Sequence, residues 1–300
     1  MKKRLLITLM VCSLAIGAIG CSNNDKEAAD NVTDTPVESS QEDASAENDK
    51  EALDAESYAT VDGATSASIV QEDIVQSYEA KGFTDGDAKK ALFVVGDPRK
   101  DSVNYDLVYT AMKHFEDNGV EVELRDLYDI EFNPVLSKDN FFYAKDGYGE
   151  PSPEIKTEQE FVTQADYIMF CYPNWHDTPT SIVKGYMETV FAKQFAYKDT
   201  DQGLEGMLEG KAAYTIMNAG YLGGGRGDIG DGVGNDDETW DMYMEAFKVF
   251  DDDTADFWGL TNKGRFVNDR TPGNVSETHA EDMEKLREDL RTKLDIDFFK

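Results

Sequence analysis

The chain has 300 residues, 61 of them acidic against 29 basic, for a formal net charge of −32. That charge repels nucleic acid and anionic headgroups, which excludes a nucleic-acid binder and electrostatic attachment to a membrane surface. Three cysteines and three histidines exclude a disulfide framework and leave too few soft ligands for a zinc or copper centre, so the core must come from apolar burial.

Lys2, Lys3 and Arg4 precede an apolar stretch at 5–19 that is too short for a stable membrane span and ends in small residues. Residues 1–20 are therefore expected to be a signal peptide. Ala18-Ile19-Gly20-Cys21 resembles the lipobox of bacterial lipoproteins. The resemblance implies lipidation of Cys21 and a chain held on the extracytoplasmic face of the cell membrane by its lipid anchor only. Loss of Lys2, Lys3 and Arg4 would take the charge from −32 to about −35. Cys12 would leave with the leader, so Cys171 would be the one remaining thiol. Residues 21–60 are rich in Asp, Glu, Ser, Asn, Thr and Ala and carry almost no large apolar side chain. Such a segment cannot bury enough surface to fold and reads as a disordered acidic stalk. Residues 61–90 hold Asp62-Gly63-Ala64-Thr65-Ser66-Ala67-Ser68, which resembles the recognition sequence of the bacterial flavin transferase. That resemblance implies FMN joined through its phosphate to Ser68. Ile69, Val70, Ile74, Val75 and Tyr78 follow with an amphipathic pattern that predicts a short helix.

From residue 91 to 300 the pattern is that of a folded domain. Ala91-Leu92-Phe93-Val94-Val95-Gly96 reads as a buried parallel strand. Leu107, Val108, Ala111, Met112 and Phe115 lie at helical spacing, and Asn118-Gly119 stops that helix. Val120 to Leu124 alternates as a strand. A long loop follows, with an aromatic patch at Phe141, Phe142 and Tyr143. Thr157 and Glu160 predict a capping box. Tyr167 to Cys171 is the next buried strand, and Ile182, Val183, Tyr186, Met187 and Val190 mark another helix. Ala212 to Met217 reads as a strand, Trp240 to Phe250 as a helix and Phe257 to Leu260 as a strand. Met283, Leu286, Leu290 and Leu294 give a last helix, with Ser276 near its cap. Strand and helix alternate about five times, which predicts an α/β domain with a doubly wound five-stranded parallel sheet and helices on both faces. Its ligand is expected beyond the carboxyl ends of the strands.

Three loops leave those ends. Asp97-Pro98-Arg99-Lys100-Asp101-Ser102-Val103-Asn104 leads into a helix, whose free amides and polar side chains suit a phosphate, with Arg99 or Lys100 adding charge. Tyr172-Pro173-Asn174-Trp175-His176-Asp177-Thr178-Pro179 puts a Trp and a His directly past a buried strand, where a flat aromatic suits a planar ligand. Asn218-Ala219-Gly220 opens a glycine-rich loop that brings backbone amides close to a ligand. The acidic run around Asp228, Asp231 and Asn235 to Glu238 does not have EF-hand spacing and reads as a solvated loop, so no metal site is expected.

Together these loops resemble those of the flavodoxin-like NAD(P)H:quinone oxidoreductases. Ser102 and Asn104 match the family's flavin-phosphate loop, with Asp97 where a His is usual. Pro173 and Trp175, followed by Pro179 and Lys184-Gly185, match its isoalloxazine loop, with Asn174 and His176 replacing a Leu and an aromatic. Asn218, Ala219 and Gly220 sit where the family has Thr-Thr-Gly-Gly. The resemblance implies non-covalent FMN or FAD, a homodimer, and electron transfer to a quinone, with His176 as the candidate proton donor. The Asp97 carboxylate would weaken phosphate binding unless it points away or pairs with Arg99. An exported location implies a membrane quinone or another envelope flavoprotein as redox partner. Two alternatives stay open: an electron carrier relaying through FMN on Ser68, and a non-redox binding lipoprotein that retains the fold.

Overall fold

The computed structural model describes residues 82–146, 149–219, 237–269 and 277–300. Cys21, the motif ending at Ser68, the short helix expected before residue 82, Gly220, the acidic run at 228–236 and Ser276 lie outside the described residues. In chain order the elements are β1 (Lys90–Val95), α1 (Val103–Asp117), β2 (Glu121–Asp126), α2 (Lys138–Asp146), α3 (Pro153–Gln164), β3 (Tyr167–Pro173), α4 (Ser181–Val190), β4 (Tyr197–Thr200), β5 (Gly203–Gly206), β6 (Ala212–Asn218), α5 (Asp237–Trp258), β7 (Thr261–Asn268) and α6 (His279–Leu294). A short π-helical turn, Asp295–Phe299, ends the domain.

Five strands form one sheet in the order β2-β1-β3-β6-β7, and every ladder is parallel. The doubly wound α/β sheet expected from the sequence is what the chain forms. Ala91 to Val95 are fully buried because helices cover both faces of β1, which is why that strand reads as an unbroken apolar run. On one face α1 and α6 pack with Phe93, Val95, Met169 and Ile216. On the other, α3, α4 and α5 pack with Leu92, Val94, Ile168 and Phe170. Each fully buried Leu, Ile, Val or Phe contributes roughly 1.5–3 kcal/mol, so the central strands hold the layers together. Phe298 and Phe299 in the terminal turn close the α1 face, edge-on to Phe115 at 5.0 and 5.2 Å.

Three sequence expectations are corrected. Phe257 and Trp258 are not strand but the last turn of α5. Gly259 follows at φ +76°, and the Leu260 N–H reaches back to the Ala255 carbonyl at 2.8 Å, a Schellman-type helix end. The fifth strand is the polar run that follows, Thr261–Asn268, an edge strand with a register shift opposite Ala213 and Thr215. Thr157 is not a cap. It lies inside α3 and its hydroxyl donates to the Pro153 carbonyl at 3.1 Å, while Ser152 and Pro153 start the helix. The patch at 141–143 is helical, within α2. An antiparallel hairpin of β4 and β5 was not anticipated.

Ion pairs lock the layers. Arg287 binds Asp106 through two bonds of 2.8 and 2.6 Å, tying α6 to α1. Arg265 binds Asp251 through two of 2.7 Å, tying β7 to α5. Arg125 reaches from β2 to Glu158 of α3 at 3.0 and 2.5 Å, with both side chains buried. Its guanidinium lies 4.3 Å from the Phe161 ring centroid, and the Tyr186 hydroxyl donates to Glu158 at 3.2 Å. The segment entering the domain is fastened nearby, at the amino ends of β1 and β2. The Gly82 N–H donates to Glu123 at 2.9 Å, the Thr84 N–H to Glu121 at 2.5 Å, and Phe83 meets Phe161 edge-on at 6.5 Å.

Removing one member of the buried Arg125–Glu158 pair strands the other charge. Arg125→Met is expected to cost about 3–5 kcal/mol, and the double change Arg125→Met with Glu158→Leu to cost less than the single one. Urea unfolding midpoints decide it; a single variant as stable as wild type would mean the pair does not hold β2 to α3.

Candidate active site

After β1 the chain moves to β2 on one side and then to β3 on the other, so the connections diverge between the carboxyl ends of β1 and β3. Open α/β sheets bind ligands at that point. Gly96 stands there. Its N–H donates to the Cys171 carbonyl at 3.0 Å and its carbonyl accepts from the Thr180 hydroxyl at 2.9 Å. A Cβ at this position would lie 2.3 Å from a Val183 methyl and 2.9 Å from Ile182. Only glycine lets the start of α4 pack directly on the end of β1.

Asp97 follows and is fully buried. Its Oδ1 accepts from the Arg99 N–H at 3.0 Å and from Arg99 Nε at 3.1 Å, and its Oδ2 from Arg99 Nη2 at 3.3 Å. The carboxylate therefore does pair with Arg99. Oδ2 also accepts from the Ser102 hydroxyl at 2.8 Å. Ser102 is the N-cap of α1, accepting from the Tyr105 N–H at 3.4 Å. Its one hydroxyl hydrogen is committed to Asp97, so toward a ligand Ser102 acts by capping and positioning.

The expectation that Arg99 or Lys100 supplies a free cation is corrected. Arg99 is engaged by Asp97, and Lys100 pairs with Asp126 and with Asp129 at 2.7 Å. The Tyr105 hydroxyl joins that group through Asp126; burial first, then the Asp126 charge, pushes its phenol well above the usual range. Tyr128 stands beside the loop, its phenol raised by partial burial and then by Asp97 and Asp126.

Asn104, in the first turn of α1, is 0% exposed, and neither its Nδ2 nor its Oδ1 has a hydrogen-bond partner. A buried polar group left unpaired costs about 1–3 kcal/mol, so an unpaired pair of atoms is a signal to be explained. Of the first-turn amides that of Tyr105 is taken by the Ser102 hydroxyl, while those of Val103 and Asn104 come too early in the helix for an intrahelical acceptor.

β3 delivers the second loop. Pro173 is its last, buried residue. The Asn174 N–H donates to the Asn218 carbonyl at 2.9 Å, its Nδ2 to Asp177 at 3.2 Å, and its Oδ1 is buried without a partner. Trp175-His176-Asp177-Thr178 closes a tight turn, with the Thr178 N–H donating to the Trp175 carbonyl at 3.3 Å. His176 and Asp177 both have positive φ, 55° and 58°, as the central residues of a type I′ turn do. Non-glycine residues hold that conformation at a cost of order 1–3 kcal/mol. Trp175 is 42% exposed and the Arg99 guanidinium lies 5.6 Å from its ring centroid. The imidazole of His176 is exposed. The first two loops are thus joined by one residue, Arg99, bonded to Asp97 and lying over Trp175.

β6 ends at Asn218, which is buried. Its Oδ1 accepts from Asn268 Nδ2 at 2.8 Å, and the Ala219 N–H donates to the Asn268 carbonyl at 2.7 Å. Sequence reasoning missed Asn268 because the last strand was expected too early. It also missed Thr180, for which a lone threonine before a helix gives no distinctive signal. Cys171 is buried, and burial alone drives its thiol well above the usual range, so it has no role as a nucleophile. Among the described residues no cluster of His, Cys, Asp and Glu is arranged to hold a metal.

The fold and these loops define a class: a doubly wound α/β domain with a polar cradle at its switch point and an aromatic wall beside it. The Flavodoxin_2 family, described as a flavodoxin-like fold, matches residues 89–294, and the chain belongs to it. It is 38% identical over 106 residues to an uncharacterized NAD(P)H oxidoreductase of Haemophilus influenzae, covering 35% of this chain and 51% of that one. It is 28% identical over 138 residues to an FMN-dependent NADH:quinone oxidoreductase of Caldicellulosiruptor saccharolyticus, covering 44% and 68%. The NAD(P)H:quinone oxidoreductase structure from Methanothermobacter marburgensis superposes with a TM-score of 0.52 at 16% identity, over 68% of this chain and 98% of that one, a likeness of fold. The chain spans about half the length of the first curated relatives it matches.

The donor set fits a flavin phosphate. The Asn104 carboxamide and the first-turn amides of α1 would take its oxygens, and Trp175 would border the ring system. Ser102→Ala is expected to remove the cap and one of the bonds to Asp97, lowering stability by about 1–2 kcal/mol. Thermal melts of the full chain measure this, and an unchanged melting temperature would contradict the assigned role.

Proposed function

We propose that the chain is a flavin-dependent oxidoreductase resembling the NAD(P)H:quinone oxidoreductases, carrying FMN or FAD non-covalently in the domain and reducing a quinone or similar acceptor. The observation that carries this reading is the buried, unpartnered carboxamide of Asn104 in the first turn of a helix that starts at the switch point. The relative from Caldicellulosiruptor saccharolyticus is FMN-dependent, which supports a flavin as the cofactor. A bound flavin supplies hydride chemistry at N5, and the protein supplies position and field. In this reading Asn104 and the α1 amides hold the phosphate, Asn218 and Ala219 border the ring edge, and Trp175 excludes water from one side. The imidazole of His176, exposed on its tight turn, gives a proton to an oxygen of the reduced acceptor.

The N-terminal region supports a location for that chemistry. Cys21 in its lipobox-like setting argues for lipid anchoring on the extracytoplasmic face, with the acidic stalk giving reach. NAD(P)H is scarce there, so a membrane quinol or another envelope flavoprotein is the proposed donor. FMN on Ser68, placed by a flavin transferase, would extend such a relay.

The visible spectrum tests this directly. Full chain co-expressed with a flavin transferase is expected to be yellow. After acid precipitation, colour in the supernatant reports flavin held by the domain and colour in the pellet reports FMN on Ser68, which Ser68→Ala abolishes. A colourless protein sinks every redox reading and leaves the non-redox binding lipoprotein. Oxidation of NADH with a quinone acceptor separates an enzyme from a carrier. In an active enzyme His176→Ala is expected to lower turnover by about 10²-fold or more with flavin content unchanged; equal turnover would remove His176 from the chemistry.

A further inference from the structure

We propose that Asp97 makes the phosphate cradle select a singly charged phosphodiester over a doubly charged phosphomonoester. The inference rests on the reading that a flavin phosphate occupies the first turn of α1.

Among the described residues the cradle offers neutral donors and no uncommitted cation. Ser102 gives its hydroxyl hydrogen to Asp97. Arg99 spends its backbone N–H and two guanidinium nitrogens on the same carboxylate. Lys100 is held by Asp126 and Asp129. Among these paired groups the three carboxylates of Asp97, Asp126 and Asp129 outnumber the two cations of Arg99 and Lys100 by one. What remains for a ligand is the Asn104 carboxamide and the amides of Val103 and Asn104, with the partial positive charge of a helix start, equivalent to roughly half an elementary charge.

Asp97 itself cannot move its charge into water, being fully buried. A ligand that draws the Arg99 guanidinium toward itself leaves that carboxylate with two neutral donors, the Ser102 hydroxyl and the Arg99 N–H, and buried charge without a countercharge is strongly disfavoured. The pull, and the repulsion from Asp97, scale with ligand charge. A monoester such as FMN carries nearly two charges above its second ionisation near pH 6; a diester carries one per phosphate at any such pH. The geometry around Asp97 therefore favours a flavin whose phosphate is substituted on both sides and carries one charge, as in the ester–anhydride phosphate of FAD or in a flavin joined through a phosphodiester to another group.

The test uses three probes at pH 8: riboflavin, FMN and the methyl phosphodiester of FMN, which differs from FMN by one charge and one methyl group. The full chain is made without flavin transferase and stripped of flavin, and each Kd is read by quenching of flavin fluorescence. The wild-type chain is expected to bind the methyl diester about 10-fold more tightly than FMN. Asp97→Asn is expected to tighten FMN relative to riboflavin and to bring FMN and the diester within about 2-fold of each other. FMN binding as tightly as the diester, or more tightly, in the wild-type chain overturns the proposal without needing any variant. So does an Asp97→Asn chain that still binds riboflavin and keeps its preference for the diester over FMN. If none of the three flavins binds, the flavin reading itself has failed, an outcome distinct from flavin binding without discrimination.

Discussion

Gly96 packs against Val183, Ile182 and Thr180 with no room for a methyl group, and its two backbone bonds join β1 to β3 and to the start of α4. That contact brings the end of one strand and the beginning of a helix from elsewhere in the chain to a common point. The chain leaving Gly96 must then turn outward at once, which places Asp97 in the interior and Ser102 at the head of α1. The same contact sets where β3 can release its own loop, so Trp175 emerges beside Arg99. The crevice follows from a backbone approach, and its chemistry from the side chains that approach leaves exposed or trapped.

Charge is the second organising influence. A chain with twice as many acidic as basic residues has few cations to spend, and the described domain spends them in pairs: Arg125 with Glu158, Arg265 with Asp251, Arg287 with Asp106, Arg99 with Asp97. Each spans different elements or different turns of the chain except the last, which is local to one loop. Arg99 differs in another way too, since its guanidinium reaches on to the Trp175 ring. An acidic protein that holds an anionic cofactor meets a conflict between net charge and ligand charge, and amide donors resolve it better than further cations, because they add no charge that must itself be neutralised.

The sequence was legible where burial dictates it. β1, β3 and β6 announced themselves as apolar runs because both their faces are covered. α1, α4 and α6 did so through helical spacing of the side chains that face the sheet. β7 was hidden because an edge strand needs few apolar residues, and because Phe257 and Trp258 imitate a strand while capping a helix against Gly206, which abuts Gly259. At the site, Ser102, Asn104 and Trp175 could be picked out from their spacing after a strand end. The bond between Asp97 and Arg99 was foreseeable only as one of two alternatives, since loop residues two apart have no fixed relative direction until the turn is known. The loss of Lys100 to Asp126 depended on a partner from a different strand, which local pattern cannot supply.

The fastening of Gly82 and Thr84 to Glu123 and Glu121 lies at the amino ends of β1 and β2, whereas Asp97, Asn104 and Trp175 lie at the carboxyl ends. Residues 82–84 therefore meet the domain at its floor, and its mouth lies on the opposite side. The two ends are separated by the length of the buried strands. Gly82 and Thr84 sit at the base of a cup whose rim carries the polar cradle.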